Sequence, residues 1–599
     1  MKWWKKAMRA MEKPEENKKL KKWQGKFENA KSKYQDELDR MEMQKKYYIG
    51  DRHVKGNPNK TSGYASKMSI NVRNIAYELI ESQIDPSIPM PKVTAIHEED
   101  KDKAKIIEDF IKNEMKSLNF NILNDLQERL TPMLGGDFLL VEWNNQKGYH
   151  CTIGDLDVSN IHPKQVIPQP GITEIDKMDY IFIRTSQTKD YVKRRFGKDV
   201  SEEEETDNDI REGVTSDDIV TVVTAYYKNE KGGIGLFRWC GDVVLEDMED
   251  YQARRIEVCK ECGAPKTGDV CEKCGSKRFE VRTDDMETVI FGEGDLFQKE
   301  IQIPYYKPDQ FPLVLRKNIS VYDKLLGCSD VDVIEDQQDT IKKLGSKINE
   351  KLLKGGSFVT LPSDVGVDTT DEELKIIRID NPAQKALIDV ITAQADIGQD
   401  RTMLEMNYQW AKSALGITDS YQGKYDSSAT SGTAKQYSIN QAAGRLESKR
   451  VMKNQAYAQL YELMFKFALA YADQPIPINS QGKDGVQVFA HFDKMDFLKM
   501  DAAGQYYWND EFIFDTDPTS TLLTNREAMW NQADLKLQSG AFGPISELET
   551  NYLYWLEQER NGYPNAGEIK KEIERRMEER KQQESMLQMG GMNVEMPNM

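Results

Sequence analysis

The stretch SDVDVIEDQQDTIKKLGSKINEKLLKGG, residues 329–356, constrains how the rest of the chain can be arranged. Its first turns are acidic and its later turns carry lysines, an order that suits a helix dipole, and Ser329 is a typical N-cap residue. Apolar residues recur every three or four positions from Val331 to Leu352, and a Gly-Gly pair ends the pattern. The stretch therefore predicts one helix over 329–354, about 39 Å long.

The residues that follow predict a small tip and two further long helices. SFVTLP and EELKIIRID are β-type segments, so the tip is expected over 355–381. An Asn-Pro pair then starts a second helix, predicted over 382–415 from its apolar stripe. Residues 416–432 are rich in Gly, Ser, Thr and Asp, which is typical of a loop. A third long helix is expected over 433–472.

The remaining residues predict mixed α/β structure before this region and helices after it. A charged helical arm is expected over 1–48, either anchored to a neighbour through its tryptophans or solvated. Residues 49–327 contain strands such as FLLVEW and YIFIRT, together with SEEEETDND, an acidic run expected to be a solvated loop. Strands are expected up to residue 518, helices over 519–585, and a flexible tail over 586–599.

The composition limits the possible functions. The chain has 599 residues, of which 39% are hydrophobic and 30% charged, and its formal net charge is −18. No run of about 18 uninterrupted apolar residues is present, so no membrane span is expected. The acidic charge argues against a general DNA-coating protein, whose affinity comes from neutralising phosphates.

No motif predicts an active site. The chain has five histidines and neither an HExxH nor a GxSxG motif. GITDSYQGKY, at 416–425, has six residues between its glycines instead of four, and Tyr425 stands where a phosphate-binding loop needs Ser or Thr for magnesium. Asp515 and Asp517 are better explained by a strand end than by a cation site. We therefore expect that the chain is not an enzyme.

Two Cys-x-x-Cys-Gly motifs within CKECGAPKTGDVCEKCG, at 259–275, predict a metal site. Cys259, Cys262, Cys271 and Cys274 supply four thiolates, the ligand number of structural zinc. The three other cysteines are scattered, which argues against a disulfide framework.

The surroundings of these cysteines bear on what the zinc does. The neighbouring charges are mixed, and Phe279 is the one nearby aromatic suited to stacking, so a basic nucleic-acid-binding face is not predicted. We expect a zinc ribbon over 255–281 in which the metal is structural. The alternative is a zinc-ribbon nucleic-acid-binding protein.

The order of these segments resembles that of the portal protein of tailed bacteriophages. Four phrases carry the resemblance: YYIGDRHVKG at 47–56, KMSINVRNIAYELIESQIDPSIPMPKV at 67–93, GCSDVDVIEDQQDTIKKLGSKIN at 327–349 and DSSATSGTAKQYS at 426–438. The resemblance implies an α+β portal-type fold with an α/β wing, a helical stem, a small α/β clip and a helical crown. The zinc ribbon departs from the usual pattern and would be an insertion in the wing.

The resemblance also assigns a part to each segment. The segments are the wing at 49–327, stem helices at 328–354 and 382–415, the clip at 355–381, a tunnel loop at 416–432, a long helix with wing strands at 433–518, and the crown at 519–585. Portals form rings, usually of twelve subunits, at one capsid vertex, through which double-stranded DNA is packaged and ejected without sequence-specific binding. The implied partners are the terminase large subunit, the major capsid and scaffolding proteins, and the head–tail connector, with no membrane. The implied location is the virion, and the host cytoplasm during assembly.

Two groups of residues are candidates for the contacts of such a ring. The candidates for the DNA tunnel are Tyr421, Lys424, Tyr425, Lys342, Lys343, Lys347 and Lys351. The candidates for terminase docking on the clip are Leu361, Asp364, Asp368, Glu372 and Glu373. For the stem lysines an alternative stays open, in which they complement the helix dipole and pair with a neighbouring subunit.

Overall fold

The structure is a computed structural model. It describes residues 14–50, 73–144, 154–200, 219–284, 286–291, 299–354, 356–360, 383, 389–393, 396–417, 432–481, 487–501, 504–517, 526–560, 563 and 565–590, except positions 265, 267, 269 and 545. The predicted acidic loop at 201–209 lies outside these residues.

Helices and antiparallel sheets alternate along the chain, as expected for an α+β protein. The helices are α1 (Pro14–Ile49), α2 (Ile75–Glu81), α3 (Lys101–Ser117), α4 (Phe120–Leu134), α5 (Lys189–Phe196), α6 (Asp330–Lys354), α7 (Gly398–Leu415), α8 (Gly432–Tyr471), α9 (Arg526–Gln538), α10 (Leu548–Arg560) and α11 (Ala566–Gly590). Short 3-10 turns occupy Glu98–Asp100, Pro163–Gln165, Ile175–Lys177 and Lys494–Phe497.

The strands are β1 (Pro91–Ala95), β2 (Gly136–Asn144), β3 (Asp155–Ile161), β4 (Val166–Pro168), β5 (Tyr180–Thr188), β6 (Ile219–Lys228), β7 (Ile234–Cys240), β8 (Val243–Met248), β9 (Arg254–Cys259), β10 (Phe279–Asp284), β11 (Met286–Phe291), β12 (Lys299–Pro304), β13 (Leu313–Lys317), β14 (Gly356–Thr360), β15 (Asp389–Ala393), β16 (Ile476–Gln481), β17 (Gln487–Phe492), β18 (Leu498–Met500), β19 (Tyr506–Trp508) and β20 (Phe512–Thr516). The strands predicted from FLLVEW and YIFIRT are β2 and β5.

The described residues divide into two compact units. The first lies within Met1–Pro86, Leu118–Gln474 and Lys494–Glu511, and the second within Ser87–Ser117, Pro475–Asp493 and Phe512–Met599. The first unit contains a five-stranded sheet, in the order β4-β5-β6-β7-β8, and a three-stranded sheet, in the order β13-β2-β3.

Helix α1 covers one face of the five-stranded sheet. Trp23 is buried and its ring lies 4.9 Å from that of Tyr227, while Phe27 meets Phe182 edge-on at 5.4 Å. The apolar cluster on the opposite face includes a residue of α5: Val192, Val220, Val222, Cys240 and Leu245. The described part of the predicted arm is therefore packed on the chain's own sheet through its aromatic residues and is not solvated.

Helix α6 begins where two chain segments cross without room for a side chain. Gly135 has a φ of +84°, and a Cβ added there would lie 2.4 Å from the carbonyl oxygen of Gly327. A Cβ on Gly327 would in turn lie 2.3 Å from the carbonyl oxygen of Ile319. The Gly327 N–H donates to the Gly135 carbonyl at 2.9 Å, so the two glycines lock the start of the helix.

The helix predicted over 329–354 is confirmed. It contains 25 residues, and the Val331 N–H donates to the Ser329 hydroxyl at 3.0 Å, which is the expected N-cap bond. The Ser329 hydroxyl also donates to the carbonyl of Met133 at 2.6 Å, which ties the cap to the end of α4.

The helix predicted over 382–415 is wrong in its first half. Residues 389–393 form strand β15, which pairs with β14 in the register Val359 to Val390, and the helix starts only at Gly398. The run Val390-Ile391-Thr392 is β-branched, so its side chains favour a pleated strand, and the pairing with β14 satisfies the backbone. The tip therefore extends from the predicted end at 381 to at least residue 393.

Helices α6 and α7 pack side by side in opposite directions. The later part of α6 reaches the start of α7, because Lys347 and Lys351 both bond to the Asp400 carboxylate, at 2.8 and 2.5 Å. The earlier part of α6 shares an apolar cluster with the end of α7 and with α2: Ile75, Ala76, Leu79, Ile334, Ile341, Tyr408, Ala411, Leu415 and Ile417. The two helices thus form an antiparallel pair with the β14–β15 tip between them in sequence.

Helix α8 runs over 40 residues, as predicted. Its later turns are buried and pack on β2 and β13, where Tyr457, Leu460, Tyr461, Met464 and Phe465 are almost fully covered. Helix α8 therefore forms part of the core of the first unit.

The second unit combines segments that are distant in sequence. Strand β1 pairs with β20, and α3 packs on β1 and on the β16–β17 hairpin, where the rings of Phe110 and Phe492 stack at 4.4 Å. Helices α9 to α11 fall within the predicted helical region, with α10 packed on α11. Helix α11 continues to Gly590, so the prediction of a flexible tail is wrong over 586–590, because SMLQM contains no helix-breaking residue.

Among the described residues, no helix is both long enough and apolar enough to cross a membrane.

Candidate metal centre

The four motif cysteines lie at the end of a two-stranded hairpin. Strands β9 and β10 pair from Arg254–Asp284 to Cys259–Phe279, so the ribbon expected over 255–281 is built on a hairpin, which forms a two-stranded sheet of its own. The chain just before β9 is tied to the segment before β13 in the same unit, because the Gln252 side chain donates to the Gln310 carbonyl at 2.7 Å.

The two Cys-x-x-Cys-Gly motifs have the same backbone structure. In the first, the Gly263 N–H donates to the Cys259 carbonyl at 2.8 Å and the Cys259 N–H donates to Ala264 at 2.8 Å. In the second, Gly275 donates to Cys271 at 2.8 Å, and Cys271 donates to Ser276 at 2.9 Å. Both glycines have φ near +70°, at +69° and +71°, where a side chain would be strained. The glycines therefore allow the tight turn that places two sulfurs on one side of each knuckle.

The two knuckles bring their sulfur atoms together. The Sγ atoms of Cys259 and Cys274 are 3.3 Å apart, those of Cys262 and Cys271 are 3.4 Å apart, and all four lie within 4.8 Å of one another. Because a disulfide is about 2.05 Å long, these are four free thiols. A tetrahedral zinc with Zn–S bonds of about 2.3 Å has sulfur atoms about 3.8 Å apart. The cluster therefore has the donor set and the size that zinc requires.

The backbone of the knuckles favours thiolates at two of the four sulfurs. The N–H groups of Glu261 and Cys262 lower the pKa of Cys259 to about 6. The N–H of Cys274 likewise lowers the pKa of Cys271. At Cys274 the Ser276 N–H favours the thiolate, but the neighbouring sulfurs outweigh it and raise the pKa to about 12. Cysteine binds a metal as thiolate, so a divalent ion bound to this cluster would displace the remaining thiol protons.

The surface of the ribbon does not resemble a nucleic-acid-binding face. Lys266 lies 5.3 Å from the centre of the Phe279 ring and also pairs with Glu257, so a lysine lies over the one aromatic near the cysteines that is suited to stacking. The exposed residues Lys260 and Lys273 each adjoin an exposed glutamate in sequence, Glu261 or Glu272. Lys277 and Arg278 are also exposed and are consecutive, so basic and acidic residues are mixed on the described surface of the ribbon, whereas a nucleic-acid-binding face typically clusters its cations.

The stem lysines differ in their environment. Lys342 is 1% exposed and its ammonium lies 4.9 Å from the centre of the Tyr47 ring, so α1 covers it in this structure. The side chains of Lys347 and Lys351 share Asp400, and their hydrogen bonds to it hold the pKa of that carboxyl below its ordinary value. These pairs form within the chain, whereas the sequence alternative placed them between subunits. Lys343 is exposed.

Other candidate residues lie outside the described part of the chain. These are Tyr421, Lys424 and Tyr425, which were candidates for a tunnel loop, and Leu361, Asp364, Asp368, Glu372 and Glu373, which were candidates for a clip. Asp515 is described and lies in β20, where its carboxylate accepts the Thr516 N–H at 2.7 Å, as expected for a strand end. Within the described residues, the four cysteines are the group able to hold a metal ion.

The first unit contains a buried ion cluster that was not predicted from the sequence. The Glu128 carboxylate on α4 accepts bonds from Arg316 on β13 at 2.6 Å and from Lys453 on α8 at 2.9 Å. Burial raises the pKa of Glu128, but the two cations outweigh it and lower that pKa overall. One turn before Lys453, Lys449 bonds to Asp330 at 2.5 Å, so α8 also holds the first residue of α6. No local signal predicts this cluster, because its members are far apart in sequence.

No protein-family model matches this chain, and a comparison with curated proteins finds no match either.

Proposed function

We propose that this chain is the subunit of a phage portal, a ring at one capsid vertex that conducts double-stranded DNA. The observation that carries the proposal is the order of α6, the β14–β15 tip, α7 and α8. An antiparallel helix pair that starts at a rigid glycine crossing and ends in a small β tip has the form expected of a stem with a clip.

The net charge of the whole chain and the lysines of α6 support a conduit that does not bind DNA tightly. A net charge of −18 per chain repels phosphate, so DNA would not adhere along the wall. Lys343 and Lys347 lie one helical turn apart on the exposed ridge of α6 and can provide brief contacts with phosphates. With Lys342 buried, these two lysines and Lys351 are the remaining stem candidates.

The proposed role is structural, without catalysis by this chain. DNA translocation would be driven by ATP hydrolysis in the terminase, which would dock on the tip, and the head–tail connector would later take its place. Capsid and scaffolding proteins would contact the wing, in the host cytoplasm during assembly and then in the virion. The ribbon, with zinc on its four cysteines, would fasten part of the wing, because its sulfurs fit the metal and its surface charges are of mixed sign.

The shape of the purified particle tests this proposal. Full-length protein is examined by negative-stain electron microscopy and mass photometry over a range of salt concentrations. We expect rings of one mass class, near twelve subunits, with an axial channel wide enough for duplex DNA. Particles that remain monomeric at every salt and protein concentration would contradict the proposal.

A further inference from the structure

Helix α7 has one covered face and one uncharged exposed face. The covered face packs on α6 and α2 through Tyr408, Ala411 and Leu415. The opposite face consists of Gln399, Thr402, Met403, Met406, Gln409, Trp410, Ser413 and Ala414, all of them exposed. The charged residues Arg401 and Glu405 project from the other sides of the helix.

Three large apolar side chains on this face are open to solvent. Met403, Met406 and Trp410 are 40%, 44% and 47% exposed and follow the helical spacing i, i+3 and i+7. In a chain with 30% charged residues, a helix face without any charge is unusual. Few charged residues and many Met and aromatic residues are typical of the centre of a protein–protein interface. Nucleic acid would require cations on this face instead.

The exposed ridge of α6 offers a complementary surface at the same height. Since Lys347 and Lys351 both reach Asp400, and α6 and α7 run in opposite directions, Lys343 lies near the level of Met406. The ridge contains exposed Lys343 and Lys347, with half-buried Leu344 beside them. Lysine stems cover apolar surface, and an ammonium can lie over an indole ring.

We infer that the α7 face binds the α6 ridge of a second copy of this chain. This inference rests on the proposed function, because rotation about a ring axis parallel to the helix pair preserves height and so places α7 of one copy beside α6 of the next. One chain then supplies both sides of a contact that repeats around the ring. Trp410 is the central residue of the contact. The methylene stem of Lys343 covers it while the ammonium stays in water and can still contact phosphate, and Lys347 stays paired with Asp400 of its own chain.

The inference is tested by replacing the apolar residues of the face. Met406→Glu and Trp410→Glu are made in the full-length protein, with Leu535→Glu as control, because Leu535 is 65% exposed on α9 and apolar. We expect the concentration needed for half-assembly, measured by mass photometry, to rise roughly 30-fold or more for each α7 variant. The control should assemble like the wild type, and unchanged far-UV circular dichroism should show that all three variants fold.

Crosslinking identifies the opposite surface. A photo-reactive benzoylphenylalanine at position 410 is introduced into unlabelled protein, which is mixed with nitrogen-15-labelled wild type before assembly and irradiation. We expect labelled peptides from 330–354 to be captured. Rings that form normally with Trp410→Glu, or crosslinks that avoid 330–354, would overturn this inference and leave the proposed ring intact. A wild-type chain that stays monomeric would overturn both.

Discussion

Replacing Gly327 with alanine should loosen the start of α6 without disturbing the rest of the chain. The new Cβ would lie 2.3 Å from the carbonyl oxygen of Ile319 and 2.9 Å from that of Gly135. Both obstacles are backbone atoms, so no flexible side chain can move away. To reach an ordinary contact, one segment must shift by about 1 Å, because real Cβ contacts begin near 3.4 Å.

The shift acts on bonds that hold the crossing together. Gly327 and Asn318 donate backbone bonds to Gly135 at 2.9 and 3.0 Å, and Cys328 donates to Ile319 at 2.9 Å. Overpacking costs about 1–3 kcal/mol and each weakened bond about 1 kcal/mol, so we expect a loss of about 3 kcal/mol in the free energy of unfolding. Gly135→Ala should cost at least as much, since φ there is +84°.

Urea denaturation of the full chain, followed by fluorescence and by hydrogen exchange of the α6 amides, measures this effect. Gly398→Ala serves as the matched control, because the nearest atom to its added Cβ is a side-chain oxygen at 3.7 Å. The control should be neutral or stabilising by about 0.5 kcal/mol, as removal of a helix glycine usually is. If Gly327→Ala unfolds at the same urea concentration as the control, the crossing is not the rigid point that we describe.

Three further predictions concern buried charges and the cysteines. Lys453→Met leaves Glu128 with one cation and should lower the free energy of unfolding, measured by heat and urea, by about 3 kcal/mol or more. The control Lys536→Met removes a partly exposed ion pair and should lower it by under about 1 kcal/mol. Equal effects of the two substitutions would contradict the role of the cluster. Burial raises the pKa of Asp137 from 3.8 to about 7, so its contribution to stability is present at low pH and is lost as pH rises toward 7. Asp137→Asn should therefore raise the melting temperature more at pH 8 than at pH 5. A gain that does not depend on pH would refute this prediction. Elemental analysis should find one zinc per chain, and Cys271→Ser should remove it and speed hydrogen exchange in the β9–β10 hairpin only. Faster exchange in α6 as well would show that the metal stabilises more than the hairpin. If the wild type binds duplex DNA tightly and this variant does not, the nucleic-acid-binding alternative is favoured.

Several structural features could be predicted from sequence patterns that span only a short stretch of the chain. The cap at Ser329 and the charge order of α6 predict that helix because both act within the helix itself. The two Cys-x-x-Cys-Gly motifs predict the sulfur cluster because each motif closes its own turn through a glycine. The extent of α8 was likewise predictable from one continuous stretch.

Features that depend on distant partners were decided by the tertiary structure. Residues 389–393 carry an apolar pattern compatible with a helix, and pairing with β14 selects the strand. Lys342 has the same local setting as Lys343, yet Tyr47 from α1 covers only the first of them. The glycine crossing, the Glu128 cluster and the uncharged face of α7 also depend on which segments meet. Local sequence therefore determined where most helices form and which cysteines can bind a metal. Packing between distant segments determined which charged side chains are buried and which surfaces stay exposed to solvent.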